Sequence, residues 1–388
     1  MTSVFSRILL LILLTSVTFY SVAANKPVAS SKSKEFEKGV VAYQKDDFAT
    51  ALMIWFPLAE SGDADAQFRL GQMYLEQKGP RKDPSEASAW IRKAAQQNHV
   101  EAQTLLGQMY LQGIGVRRSF KKSAGWLTKA ARQKDPKAQY ILGKLYYFGD
   151  GVPKSAGKAA YWYKSAAKLG HAEAENKLAL MYLSGDGIKK KNALAIKMFK
   201  SAAAAGNKNA HINLGQIYLE GKAIKKDPVV AFDWYKKAAN LGSAEAQNQV
   251  GEMLQNAVGT KKDLKQAFKW YQKAARQNNL SAYYNLGRAY VNGYGIKKDF
   301  DKGVSAFHKA AEQGHGKAQM DLGVAYYTGK GVAPDSTIAY AWFYVAAASN
   351  VKDARKTKNI LYEKLVTKDK KKAVALATQY KRKYFKRP

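Results

Sequence analysis

Residues 100–135 read VEAQTLLGQMYLQGIGVRRSFKKSAGWLTKAARQKD. Two helical patterns flank a glycine-rich break in this stretch. In the preceding stretch the matching positions Ala66, Leu70, Met73 and Tyr74 fall at i, i+4, i+7 and i+8. After the break, Ala87, Trp90, Ile91 and Ala94 fall at i, i+3, i+4 and i+7. Both spacings put apolar groups on one face of a helix. The break, Gly113-Ile114-Gly115-Val116, reads as a turn. Its first glycine suits a left-handed helix cap and its second gives the turn freedom.

The pattern returns every 36 residues. Leu70-Gly71 recurs at Leu106-Gly107, Leu142-Gly143, Leu214-Gly215, Leu286-Gly287 and Leu322-Gly323, with Leu178-Ala179 and Val250-Gly251 as variants. That makes eight units. A period this strict marks a solenoid, in which surfaces rather than one buried pocket carry function. Ala66 returns in every unit as far as Ala318, and the pair Ala94-Ala95 as far as Ala346-Ala347. Small residues at fixed places let helices approach closely. The Tyr74 and Trp90 columns read as large core residues, with Leu254, Met198 and Ala306 as departures. Asp83, Asp227, Asp263 and Asp299 precede second helices and read as N-caps. In the sixth unit Ala257 replaces the first turn glycine, which predicts a looser or reshaped turn.

These residues resemble the Sel1-like repeat, a relative of the tetratricopeptide repeat. Ala102, Leu106-Gly107, Tyr110, Gly113, Gly115-Val116, Trp126, Lys129 and Ala130-Ala131 match its pattern position by position. The resemblance implies an all-α fold, a right-handed α-solenoid of helix-turn-helix repeats. It spans residues 64–350 as eight repeats. Residues 36–63 read as a partial N-terminal capping repeat, and 351–388 as capping helices with a basic tail and a break near Thr367-Lys368-Asp369.

Residues 1–24 read as a signal peptide: Arg7 is the one charge before Lys26, residues 8–14 are apolar, and Val22-Ala23-Ala24 suits cleavage after Ala24. An uncleaved anchor is the alternative. Residues 25–35 read as a polar linker. No later segment is apolar enough to span a bilayer. The expected location is therefore the periplasm or the medium. The absence of cysteine excludes disulfides, Cys-ligated zinc and thiol catalysis. It also sets the chain apart from the disulfide-stapled Sel1-like branch, with which penicillin recognition is associated.

Lys and Arg number 64 against 30 Asp and Glu, a formal net charge of +34. Much of the excess is patterned. Arg81-Lys82, Arg117-Arg118, Lys189-Lys190, Lys225-Lys226, Lys261-Lys262 and Lys297-Lys298 stand at one repeat position, just before the second helix. Stacked repeats would turn these pairs into a basic edge with rungs about 10 Å apart. Anionic lipid, peptidoglycan or glycan fits such an edge; nucleic acid is disfavoured for an exported chain without a nucleic-acid-binding motif. Lysine is also simply well solvated in exposed turns, and that reading stays open.

No catalytic set emerges and no cofactor is expected. His99, His171 and His315 share one inter-unit turn, and His308 reads as exposed on a second helix. The resemblance implies a non-enzymatic scaffold of the bacterial envelope that holds a partner protein or peptide in its groove. A secreted host-interaction factor and a cell-wall-related or penicillin-recognising enzyme are the alternatives.

Overall fold

The computed structural model describes residues 34–76, 78 and 83–385. These fall into two compact units, one ending at Ala210 and one beginning at His211. The signal peptide with Ala24, the linker up to residue 33, Arg81, Lys82 and the tail's Lys386 and Arg387 lie outside the described residues.

The N-terminal unit opens with α1 (Lys34–Gln44) and α2 (Phe48–Glu60). First helices α3 (Ala64–Glu76), α5 (Val100–Gln112), α7 (Pro136–Phe148) and α9 (Ala172–Ser184) then alternate with second helices. The second helices are α4 (Pro84–Gln96), α6 (Phe120–Arg132), α8 (Ala156–Lys168) and α10 (Asn192–Ala204). The same alternation continues with α11 (Lys208–Glu220), α13 (Ala244–Asn256), α15 (Leu280–Asn292) and α17 (Gly316–Thr328). Their partners are α12 (Pro228–Asn240), α14 (Leu264–Ala275), α16 (Phe300–Ala311) and α18 (Ser336–Ala348). Two helices follow, α19 (Ala354–Lys364) and α20 (Thr367–Tyr384). Within each unit consecutive helices pack as pairs. None of the described helices is long and apolar enough to cross a membrane.

The Leu-Gly step is explained by what faces it. A Cβ on Gly107 would stand 2.6 Å from Leu127, on Gly143 2.7 Å from Tyr163, and on Gly251 2.5 Å from Tyr271. The glycine makes room for a large residue one position after the tryptophan column. That column, Ile91, Leu127, Tyr163, Phe199, Tyr235, Tyr271, Phe307 and Phe343, is buried in every repeat. Each such side chain contributes about 1.5–3 kcal/mol by leaving water. The Trp column is different. Trp90 and Trp342 are buried, but Trp126, Trp162, Trp234 and Trp270 are half-exposed. Tyr74, Tyr146, Tyr182, Tyr218, Tyr290 and Tyr326 are also only partly covered. Both aromatic columns pack against the core as expected, but most of their rings keep one edge at the surface: a period shows that a position is constrained, not from which side.

Both turn glycines have structural reasons. Gly113 and Gly149 close their helices in the left-handed region, with φ of 77° and 83°. At the second glycine the backbone runs against the preceding repeat. A Cβ on Gly115 would lie 1.8 Å from the Pro84 carbonyl oxygen, and one on Gly259 1.9 Å from that of Pro228. The expected freedom is used as well, since φ is 65° at Gly115 and 67° at Gly259; close approach is a second requirement for glycine. The turn at Ala257 is not reshaped either. Ala257 takes the glycine's conformation, φ 56° and ψ 40°, and its N–H still donates to the Met253 carbonyl. An alanine held there costs about 1–2 kcal/mol.

Candidate functional site

The helix starts account for the polar residues first. Asp83, Asp227, Asp263 and Asp299 each accept from a backbone N–H in the first turn of a second helix. Ser119, Ser155 and Asp335 do the same. Lys191 occupies this position before α10 and makes no cap bond. These carboxylates are therefore structural.

The histidines at the inter-unit turn also cap helices. The N–H groups of Ala102, Ala174 and Ala318 donate to Nδ1 of His99, His171 and His315, each at 3.2 Å. Asp63, Asp135, Asn207, Ser243 and Asn279 fill the same position in other repeats and cap in the same way. A column of Asp, His, Asn and Ser was the sequence signal for this role. The rings stack on an aromatic of the preceding first helix: His171 on Tyr140 of α7 at 4.6 Å and His315 on Tyr284 of α15 at 4.7 Å. Burial lowers the His171 and His315 pKa values below 6.5 and pushes Tyr140 up to about 12. His308 is not the exposed residue expected. It is half-buried, 3.2 Å from the Tyr326 hydroxyl and edge-on to Trp342. Among the described residues no group of three or more His, Asp or Glu could hold a metal ion.

A buried glutamine clamp links successive repeats. Nε2 of Gln67, Gln103, Gln139, Gln247 and Gln319 donates to the carbonyl of Ala59, Ala95, Ala131, Ala239 and Ala311. The amides of Gln97, Gln133 and Gln277 donate in turn to Oε1 of Gln67, Gln103 and Gln247, each at 2.9 Å. In the third repeat Leu169 stands where those donors stand, and Oε1 of Gln139 is buried with no protein partner.

What remains for recognition lies on the surface. Arg117, Arg118, Lys189, Lys190, Lys225, Lys226, Lys261, Lys262, Lys297 and Lys298 are all exposed. In the C-terminal unit three consecutive repeats carry the pairs at 225/226, 261/262 and 297/298, and none of these six lysines makes an ion pair among the described residues. The N-terminal unit has pairs in its second and fourth repeats, with Pro153-Lys154 between them.

A second surface feature was missed in the sequence. Lysine three residues after tryptophan lies over its ring: Lys129 over Trp126, Lys237 over Trp234 and Lys273 over Trp270, each at 4.3 Å, and Lys93 over Trp90 at 3.8 Å. Cation–π contacts of this kind contribute about 0.5–1 kcal/mol at exposed sites. Lys129 is a position of the repeat pattern, and the half-exposed ring beneath it makes the pair a surface feature.

The Sel1 repeat model matches the chain at residues 64–99, 100–135, 136–171, 172–207, 208–243, 244–279, 280–315 and 316–351. The chain belongs to the Sel1 repeat family. It is a Sel1 repeat scaffold, with caps, turn glycines and alanine columns in family register. Among solved structures it is similar to a protective antigen present in uropathogenic Escherichia coli strains that displays an SLR fold. The two are 28% identical over 90% of this chain and 91% of that one, with a TM-score of 0.50. It is also similar to a Sel1 repeat protein from Oxalobacter formigenes, at 34% identity over 62% of this chain and 99% of that one, with a TM-score of 0.58. No curated protein matches.

Proposed function

We propose that this Sel1 repeat protein is a non-enzymatic scaffold of the bacterial envelope, exported by residues 1–24 and cleaved after Ala24. In each unit it holds a partner protein or peptide on the surface that carries the half-exposed tryptophans. The basic turns add salt-dependent attraction to anionic lipid, peptidoglycan or glycan. The observation that carries the reading is the Trp column itself, left half-open at Trp126, Trp162, Trp234 and Trp270 while its neighbours are buried. Interfaces are enriched in such aromatic groups. The exposed lysine pairs at 225/226, 261/262 and 297/298 support the electrostatic part.

The test is a pull-down of residues 25–388 from envelope extract at low and at high salt. A partner retained at high salt, and lost on Trp234→Ala with Trp270→Ala, supports the scaffold. Replacing the six paired lysines with Gln is expected to remove only the partners that high salt also removes. Absence of any retained partner overturns the reading.

The second reading is an exported factor that reaches the host. It rests on the likeness to the protective antigen over 90% of the chain. Recovery of the mature chain from culture medium rather than from a periplasmic extract would favour it.

A further inference from the structure

Two tryptophans of the column are covered, Trp90 by Phe56 of α2 and Trp342 by a whole helix. In the last repeat α20 lies over Trp342, with Tyr380 and Tyr384 one helical turn apart. Tyr384 stacks on the indole at 5.1 Å with planes 22° apart, and Tyr380 packs at 4.9 Å, tilted by 60°. Gln319 Nε2 reaches the Tyr384 carbonyl at 3.4 Å. Trp342 is left 1% exposed. The equivalent Trp234 and Trp270 have no such cover and stay half-exposed.

The lysine column changes where α20 sits. The residue three after tryptophan is Lys237 and Lys273 in the open repeats and Val345 in the one that α20 covers. Val345 is fully buried. The docked helix is strongly basic: KDKKK begins at Lys368, KRK begins at Lys381, and Asp369 is its only acid. A basic helix thus rests where the lysine is absent. At the open sites Lys237 and Lys273 would repel it. The exposed charges along α12 and α14 are Lys236, Lys237, Lys265, Lys269 and Lys273 against Asp233.

We propose that the Trp234–Lys237 and Trp270–Lys273 sites dock an acidic helical segment of a partner protein that presents aromatic side chains one turn apart. The partner's rings take the place that Tyr380 and Tyr384 take on Trp342. Its carboxylates draw Lys237 and Lys273 off the indoles into ion pairs. The inference rests on the scaffold reading above and adds the chemistry of the occupant. Complementary charge sets which helix is accepted and which is rejected.

The probes are two synthetic peptides with the length of α20, 18 residues. One has its native sequence; the other has Glu at every Lys and Arg position and keeps both tyrosines. Each is titrated into the full chain at low salt and followed by tryptophan fluorescence. The Glu peptide is expected to bind about tenfold tighter, within the margin that two exposed ion pairs supply. Lys237→Glu with Lys273→Glu, surface changes that leave the fold intact, is expected to invert that order. Trp234→Phe with Trp270→Phe keeps an aromatic surface and is expected to keep the order, read by calorimetry. Equal binding of the two peptides, binding of neither, or an order unmoved by the Glu variants overturns the proposal. A partner retained from envelope extract alongside any of those results would leave the scaffold reading standing and remove only this one.

Discussion

At the scale of the residue, glycine serves opposite ends within one repeat family. Gly251 lies in a helix where a Cβ would meet the Tyr271 ring at 2.5 Å, whereas Gly125 lies in a helix with nothing within 4 Å. Gly251→Ala is therefore expected to destabilise by about 1–3 kcal/mol through overpacking. Gly125→Ala is expected to stabilise by about 0.5–1 kcal/mol through helix propensity. Urea melts of the two variants should shift in opposite directions. Leu169 is 46% exposed and denies Gln139 Oε1 the donor that other repeats supply. Leu169→Gln is expected to add about 1 kcal/mol, read as a rise in the denaturation midpoint. The sequence made the Leu-Gly step conspicuous but not its reason. The large side chain opposite is Ile, Leu, Tyr or Phe by turns, so its column escapes a search for identical residues.

At the scale of the element, helix caps were legible because their chemistry is local. Asp before Pro-Ser-Glu carries the whole signal for α4 within four residues. Lys191 lacks that chemistry, so Lys191→Asp is expected to stabilise α10 by about 1 kcal/mol, visible as a higher melting temperature. The histidine caps bring pH into the same geometry. Nδ1 accepts at His171 and His315, so protonating it removes the acceptor. Their folded pKa values lie below the 6.5 of the unfolded chain, with burial as the main cause. The unfolded chain then binds more protons as pH falls below about 6.5. Stability from these caps is complete above that pH and is lost on acidification toward the lowered values. The chain is expected to melt at lower urea at pH 5.5 than at pH 7.5. His171→Asn with His315→Asn, which keeps a capping acceptor, should shrink that difference.

At the scale of the whole molecule, repeats that pack mainly on their neighbours in sequence predict local failure. Damage at Gly251 should raise hydrogen exchange in α13 and α14 and in the helices packed on them, while α5 to α8 stay protected. Exchange measured by mass spectrometry on Gly251→Ala checks this; uniform deprotection would contradict it. The repeat count and the helix order could be read from one period. The open and closed tryptophans could not, because Trp90 is covered from α2 through Phe56 and Trp342 from α20. Those covers come from segments that do not share the period.

The second turn glycine has a consequence for how such a chain can change length. Gly115, Gly151, Gly187, Gly259, Gly295 and Gly331 are each fitted to the first residues of the helix one period earlier. At these six turns half of each joint is thus written in one copy and half in the next. Loss or duplication of a whole period rebuilds each joint from matching halves, wherever the break falls. A cut one residue longer or shorter sets a side chain where backbone must pass. Genes for such chains are free to grow and shrink by copy number, in steps of 36 codons, and by little else.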